Sequence, residues 1–204
     1  MFLKDLVLPE SSKDFIINKE AILKISRLFS EDFMANLYIY GPAGSGKYSL
    51  FIKTLESIVG KKVKIKYKKI NLSNTWSQTK EINIPSSEFH FEINLNKYTN
   101  NRNNLFSLID AVTDSKEINQ TLQYKIILVR NIQFAGKELL RFIKQKAEIL
   151  SEDVRFILIG KTSSRDLSEL KGIFMGFRQA SPSTDLILKV VKQGIKKYNK
   201  INKE

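Results

Sequence analysis

Gly41-Pro42-Ala43-Gly44-Ser45-Gly46-Lys47-Tyr48 meets the pattern G-x-x-x-x-G-K-[S/T] at every position but the last. A tyrosine stands where a small hydroxyl residue holds magnesium in a working phosphate-binding loop. The flanks support the loop. Asn36-Leu-Tyr-Ile-Tyr40 reads as a short buried strand running into Gly41, and Tyr48 to Val59 carries Leu50, Phe51, Leu55 and Ile58 at helical spacing. Strand, glycine loop and helix are the three parts such a site needs. Glycines let successive backbone N–H groups curl around phosphate, the helix N-terminus adds partial positive charge, and Lys47 adds a full one. Three uses of the loop stay open at this point: turning over a nucleotide, holding one, or keeping the shape without a ligand.

Outward from the loop, the chain reads as strands alternating with helices, which implies a mainly parallel sheet with helices on both faces. Lys19 to Ser30 is an amphipathic helix with Ile22, Leu23, Ile25 and Leu28 on its apolar side and Asn18 placed to cap it. In Lys61 to Lys69, lysines alternate with Val63, Ile65 and Tyr67, so a strand with one apolar and one lysine face is expected. Thr79 to Ile84 and Glu88 to Asn94 read as further strands joined at Pro85-Ser-Ser87, making 61–88 an antiparallel insertion. Arg102 to Val112 is a helix, Tyr124 to Val129 a strand buried on both faces, Lys137 to Leu150 a helix and Arg155 to Gly160 another buried strand. Ser183 to Asn199 forms a last amphipathic helix beside a run of lysines. The expected division is an α/β domain over 1–182 and a lysine-rich helix and tail over 183–204.

The 204 residues allow one sizeable core. Cysteine is absent, which excludes a disulfide framework and thiol chemistry, and with a single histidine neither a zinc site of the usual ligands nor a Ser/His/Asp triad is expected. His90, between Phe89 and Phe91, reads as structural, and Trp76 in a polar turn has no evident chemistry. No apolar run approaches bilayer length, and Met1-Phe-Leu-Lys-Asp5 lacks a signal-peptide layout, so an intracellular soluble protein with no membrane partner is expected. The net charge of +13 is unevenly placed: residues 1–60 carry seven basic and seven acidic side chains, and the whole excess follows the glycine loop. A polyanion such as nucleic acid is the natural partner, with a solubilising surface or acidic protein partners as the alternatives.

Hydrolysis at a phosphate-binding loop needs acidic groups at the end of a neighbouring strand. The best strand for that role is Ile126-Ile-Leu-Val129, and it is followed by Arg130-Asn131-Ile132-Gln133, which contains no carboxylate. Asn131 and Gln133 keep the polarity but cannot take a proton from water, and Arg130 puts a fixed positive charge where a metal would otherwise sit. Ser49 is the alternative hydroxyl for the one Tyr48 lacks, yet the strand end would still have no acid. Efficient hydrolysis is not expected, and magnesium is doubtful.

The order of a G-P-x-G-x-G-K-x loop, a polar two-strand insertion, the strand Phe89-His-Phe-Glu-Ile-Asn94, a buried strand and a helix containing Leu139-Leu-Arg141 resembles the AAA+ module of replication factor C small subunits, the sliding-clamp loader family. It most resembles the small subunit whose own nucleotide site is degenerate. The resemblance runs from about Leu8 to about Ile195. It implies ATP or ADP held by Gly41, Pro42, Ala43, Gly44, Ser45, Gly46, Lys47, Tyr48 and Ser49, with Ile16 and Ile17 in a segment similar to the one that packs on adenine. It implies that Asn94 matches the residue restraining a catalytic glutamate, which is Asn131 here, so that the switch has nothing to act on. Lys161 falls where a sensing asparagine is expected. The Ser-Arg-Cys arginine that reaches a neighbouring subunit should lie near Gly172-Ile173-Phe174, with Arg178 a weak substitute.

The resemblance also implies primer-template DNA, other clamp-loader subunits and the sliding clamp as partners. Arg102, Arg141, Lys144 and Lys146 would lie on the DNA-facing helices. It implies a lid beginning at the last helix and no collar within this chain. The Asn-, Lys- and Ile-heavy composition suits a viral or AT-rich-genome homologue. A nucleotide sensor completed by a partner's carboxylate, and an interaction module without DNA binding, are the other readings.

Overall fold

The computed structural model describes residues 19–30, 35–73, 79–98, 102–115, 122, 124–161 and 168–201. Asn18, Ile16, Ile17 and Trp76 lie outside the described residues. The chain runs α1 (Lys19–Ser30), β1 (Asn36–Tyr40), α2 (Lys47–Val59), β2 (Lys66–Ser73), β3 (Thr79–Ser86), β4 (His90–Asn94), α3 (Arg102–Asp114), β5 (Lys125–Arg130), α4 (Lys137–Ile149), β6 (Val154–Gly160), β7 (Phe174–Arg178) and α5 (Thr184–Ile201). The strands form one sheet in the order β2-β3-β4-β5-β6-β1-β7. From β4 to β7 every neighbouring pair is parallel, while β2 and β3 form an antiparallel hairpin that extends the sheet beyond β4. This is the expected α/β architecture of a P-loop AAA+ module.

Period-two alternation on the central strands sorts side chains between two helical layers. Tyr38, Phe91, Ile127, Val129, Phe156 and Leu158 pack with Leu105, Leu108 and Ile109 of α3 and Leu139, Leu140 and Ile143 of α4. Leu37, Ile39, Ile126, Leu128, Ile157 and Ile159 pack with Ile22 and Ile25 of α1 and Leu50, Phe51 and Leu55 of α2. Both faces of β5 and β6 are therefore buried, as their continuous apolar runs require. Lys125, at the start of β5, is itself buried and turns its ammonium onto the carbonyl oxygens of Val112 (2.9 Å), Thr113 (2.8 Å) and Ser115. A cation there satisfies the orphan acceptors at the C-terminal end of α3.

Two expectations are corrected. The lysine-alternating strand begins at Lys66, not Lys61, and its phase is reversed. Ile70 and Leu72 are the buried side chains of β2, and Tyr67 is 71% exposed on the other face. The strand takes its register from β3, where Ile70 faces Ile82 and Leu72 faces Lys80, and Ile70 and Leu72 join the core that α3 completes. Val63 precedes the strand and packs instead beneath α2. The second correction is an omission: Phe174–Arg178, given no element from the sequence, is a parallel strand beside β1. Its edge position and half-exposed side chains leave little periodicity to read.

Candidate nucleotide-binding site

The loop from Gly41 to Gly46 joins the end of β1 to the start of α2, and its glycines are required by geometry. Gly44 and Gly46 hold φ of 76° and 81°, in the left-handed region. A Cβ on Gly41 would stand 2.0 Å from the carbonyl oxygen of Gln179, just past the end of β7. Beside the loop lies a cleft of about 350 Å3. It is lined on the loop side by Ala43, Gly44, Gly46, Lys47, Tyr48 and Ser49, and on the other by Arg130, Asn131, Gln133, Ile159, Gly160 and Lys161. All of these sit at the C-terminal ends of β1, β5 and β6, where a parallel α/β sheet ordinarily receives its ligand.

Lys47 is folded back onto its own loop. Its ammonium donates to the carbonyl oxygens of Gly41 (3.0 Å) and Pro42 (2.6 Å) and to Ser45 Oγ (3.3 Å). Burial, and then the nearby charge of Lys161, hold its pKa below the ordinary lysine value of 10.5. An anion in the cleft would relieve both effects.

Tyr48 closes the position where a metal hydroxyl ligand would stand. Its OH donates to Glu92 Oε1 at 2.6 Å, and the guanidinium of Arg130 lies over its ring, 4.1 Å from the centroid. Arg130 reaches the same carboxylate, with Nη1 3.4 Å from Oε2. His90 Nε2 is 3.1 Å from Oε1, and its Nδ1 is 2.6 Å from Ser87 Oγ, which in turn accepts from the backbone N–H groups of Phe89 and His90. The serine hydroxyl therefore donates to Nδ1, and Nε2–H donates to Glu92. Burial by itself would raise the Glu92 carboxyl. Hydrogen bonds from His90 and Tyr48 and the charge of Arg130 outweigh it and hold the group below the usual glutamate range. The Tyr48 phenol is pushed far up by burial and then by its bond to Glu92, so it stays protonated.

Glu92 is the residue that sequence reasoning missed. The search for acid went to the end of β5, whereas this carboxylate sits on β4, buried in the strand. A glutamate flanked directly by Phe91 and Ile93 was its visible signal. His90, read as structural, is what fixes it in place.

At the end of β5, Asn131 has φ of 61° and its amide donates to Asn94 Oδ1 at 2.7 Å. Asn131 stands where the resemblance places a catalytic glutamate, so Asn94 meets an amide there and no carboxylate. Gln133 Nε2 approaches Asn131 Oδ1 at 3.4 Å, and Gln133 Oε1 accepts from the backbone N–H of Lys161 at 3.3 Å. These amides tie β5 to β6 across the cleft without supplying a proton acceptor.

The loop fits a nucleotide's phosphates: the required glycines, the helix terminus and Lys47 converge on an open cleft. Magnesium does not fit. The tyrosine hydroxyl is committed to Glu92, the guanidinium of Arg130 occupies the adjoining space, and among the described residues none that lines the cleft is acidic.

The candidate DNA residues lie on the opposite face of the sheet from α2, on the helices α3 and α4. Arg141 is exposed and 3.6 Å from Glu169, and Lys144 is half-buried. Lys146 is 2.6 Å from Asp110 and 5.6 Å from the Phe142 ring centroid, which ties α4 to α3. Arg102 begins α3, and its side chain is outside the described residues. Arg178 ends β7, exposed and paired in register with Tyr40, at the edge of the protein's own loop.

Comparison with known proteins agrees with this geometry. A replication factor C small subunit of Acanthamoeba polyphaga mimivirus is 26% identical over 194 residues, covering 94% of this chain and 52% of that protein. The chain resembles replication factor C small subunits. Replication factor C subunit 3 of Arabidopsis thaliana is 24% identical over 204 residues, covering 93% of the chain and 55% of the relative. Human replication factor C subunit 3 is 24% identical over 187 residues, covering 88% and 52%. The chain thus spans about half the length of the replication factor C proteins it matches. No protein-family model matches it. Among the described residues no helix is long and apolar enough to cross a membrane.

Proposed function

We propose that this chain is a clamp-loader-like AAA+ subunit of DNA replication that holds ATP or ADP without hydrolysing it efficiently. In this role it acts as a scaffold and as a binder of the DNA backbone. The observation that carries the reading is the closed arrangement of Tyr48, Glu92 and Arg130 beside an intact glycine loop. The groups that grip phosphate are in place, while the positions that would hold metal and activate water carry a phenol, a guanidinium and two amides. Similarity to replication factor C subunits supports the replication role, with other loader subunits, the sliding clamp and primed DNA as partners. Under this reading residues 1–182 are the AAA+ domain and residues 183–204 begin the lid. The protein acts in a nucleus or at a viral replication site.

Mass spectrometry of nucleotide released from gently purified protein tests the reading directly. ATP or ADP should be recovered from the wild type and lost from Lys47→Ala, with no turnover above background in either. Turnover abolished by Lys47→Ala would replace it with a working ATPase. No nucleotide in either protein would leave only the fold.

A further inference from the structure

Among the described residues, those lining the cleft include three cationic side chains and no acidic one. Lys47, Arg130 and Lys161 all line it, and the Glu92 carboxylate behind Tyr48 is already closed off by Tyr48, Arg130 and His90. A phosphate-binding site that uses a divalent cation gains from nearby acid and loses from nearby fixed positive charge. Here the balance runs the other way. The Arg130 guanidinium lies over the Tyr48 ring and makes a single 3.4 Å contact with Glu92, which leaves most of a guanidinium's donors uncommitted beside the cleft. A planar fork of this kind suits paired phosphate oxygens.

We propose that the site takes its nucleoside di- or triphosphate as the free polyanion, with Arg130 and Lys161 beside Lys47 doing the charge neutralisation a divalent cation would otherwise do. The inference rests on the nucleotide-holding role proposed above and specifies the ionic form of the ligand. Tyr48 serves as the platform: its ring supports the guanidinium from below, and its hydroxyl shares Glu92 with it, so the arginine is held at the phosphate end of the cleft. Magnesium then acts as a competitor. It draws ATP into a complex whose metal meets Arg130 and Lys161 instead of a carboxylate.

Calorimetric titration of the whole chain with ADP and ATP, in EDTA and in excess magnesium, tests this. Affinity in EDTA should equal or exceed that in magnesium. Arg130→Gln should lose about tenfold to a hundredfold of the affinity measured in EDTA, the scale of a lost charge-assisted hydrogen bond, while its melting transition shows that it is folded. Lys161 is exposed, so Lys161→Ala provides a second variant that puts little of the fold at risk and should also weaken binding in EDTA. Affinity that is tenfold or more tighter in magnesium would overturn the proposal and leave the nucleotide role standing, as would full EDTA affinity in both folded variants. Absence of binding under both conditions would remove the nucleotide role and this inference together.

Discussion

Tyr48 donates its hydroxyl proton to Glu92 across a distance of 2.6 Å, joining the first turn of α2 to the buried strand β4. The residue that breaks the sequence pattern of the loop is thus a structural tie, and its partner is a carboxylate held ionised in a mostly apolar layer. Removing only the hydroxyl isolates that bond. Tyr48→Phe should keep the Arg130 stack and cost about 1–2 kcal/mol, the scale of a hydrogen bond to a charged acceptor that retains other donors. Urea denaturation reads the loss. A thermally neutral Tyr48→Phe would mean that His90 and Arg130 satisfy Glu92 alone.

Glu92 makes stability depend on acid. Its folded pKa is lowered from the ordinary 4.5, so unfolding takes up a proton between the lowered value and 4.5. The contribution is complete above 4.5 and is lost as the pH falls through the lowered value. Glu92→Gln should therefore be less stable than wild type at neutral pH, by about 1–3 kcal/mol for disturbed buried donors. The gap should narrow as the pH drops below 4.5. Denaturation curves at a series of pH values measure it, and a gap independent of pH would contradict the ionised assignment.

The same network marks the limit of what the chain discloses on its own. Strand β1, helix α2 and the buried strands β5 and β6 were legible because loop chemistry and apolar runs are local signals. The pairing of Tyr48 with Glu92 spans 44 positions and depends on β4 lying beside β5, which no local pattern reports. The reversed phase of β2 has a similar cause: alternation over Lys61–Lys69 gave a period, but the cover supplied by α3 decides which face is buried. Strand β7 was missed because an edge strand beside β1 needs only backbone pairing and keeps exposed side chains.

On the face of α3 and α4, exposure separates the basic residues. The Arg141 side chain is 69% exposed and makes one long contact with Glu169, whereas Lys146 is 24% exposed and ion-paired with Asp110 at 2.6 Å. If this face meets DNA, affinity for a primed duplex should fall steeply with salt. Arg141→Ala should lower the slope of log affinity against log salt by about one phosphate contact. Lys146→Ala should instead act mainly on stability, by up to about 1 kcal/mol for a partly exposed pair. Fluorescence anisotropy at several salt concentrations distinguishes the two, and equal effects on the slope would show that Lys146 leaves Asp110 to reach the backbone.

Gly160 links the core to the cleft and permits a sharper test. Its carbonyl oxygen accepts from the N–H of Gly41 at 3.3 Å, and a Cβ in its place would stand 2.3 Å from Ile132 Cγ2. Ile132 is fully buried in the turn that carries Asn131 and Gln133, so it has little room to yield. Gly160→Ala should cost about 1–3 kcal/mol through overpacking. Ile132→Ala should cost about 2–5 kcal/mol through the cavity it leaves. In the double variant the added methyl enters the space Ile132 vacates, so the total loss should fall short of the sum by a measurable coupling energy. Strict additivity in urea denaturation would mean that the β5–β6 end relaxes freely, and the cleft would then not be the rigid receptor that this packing describes.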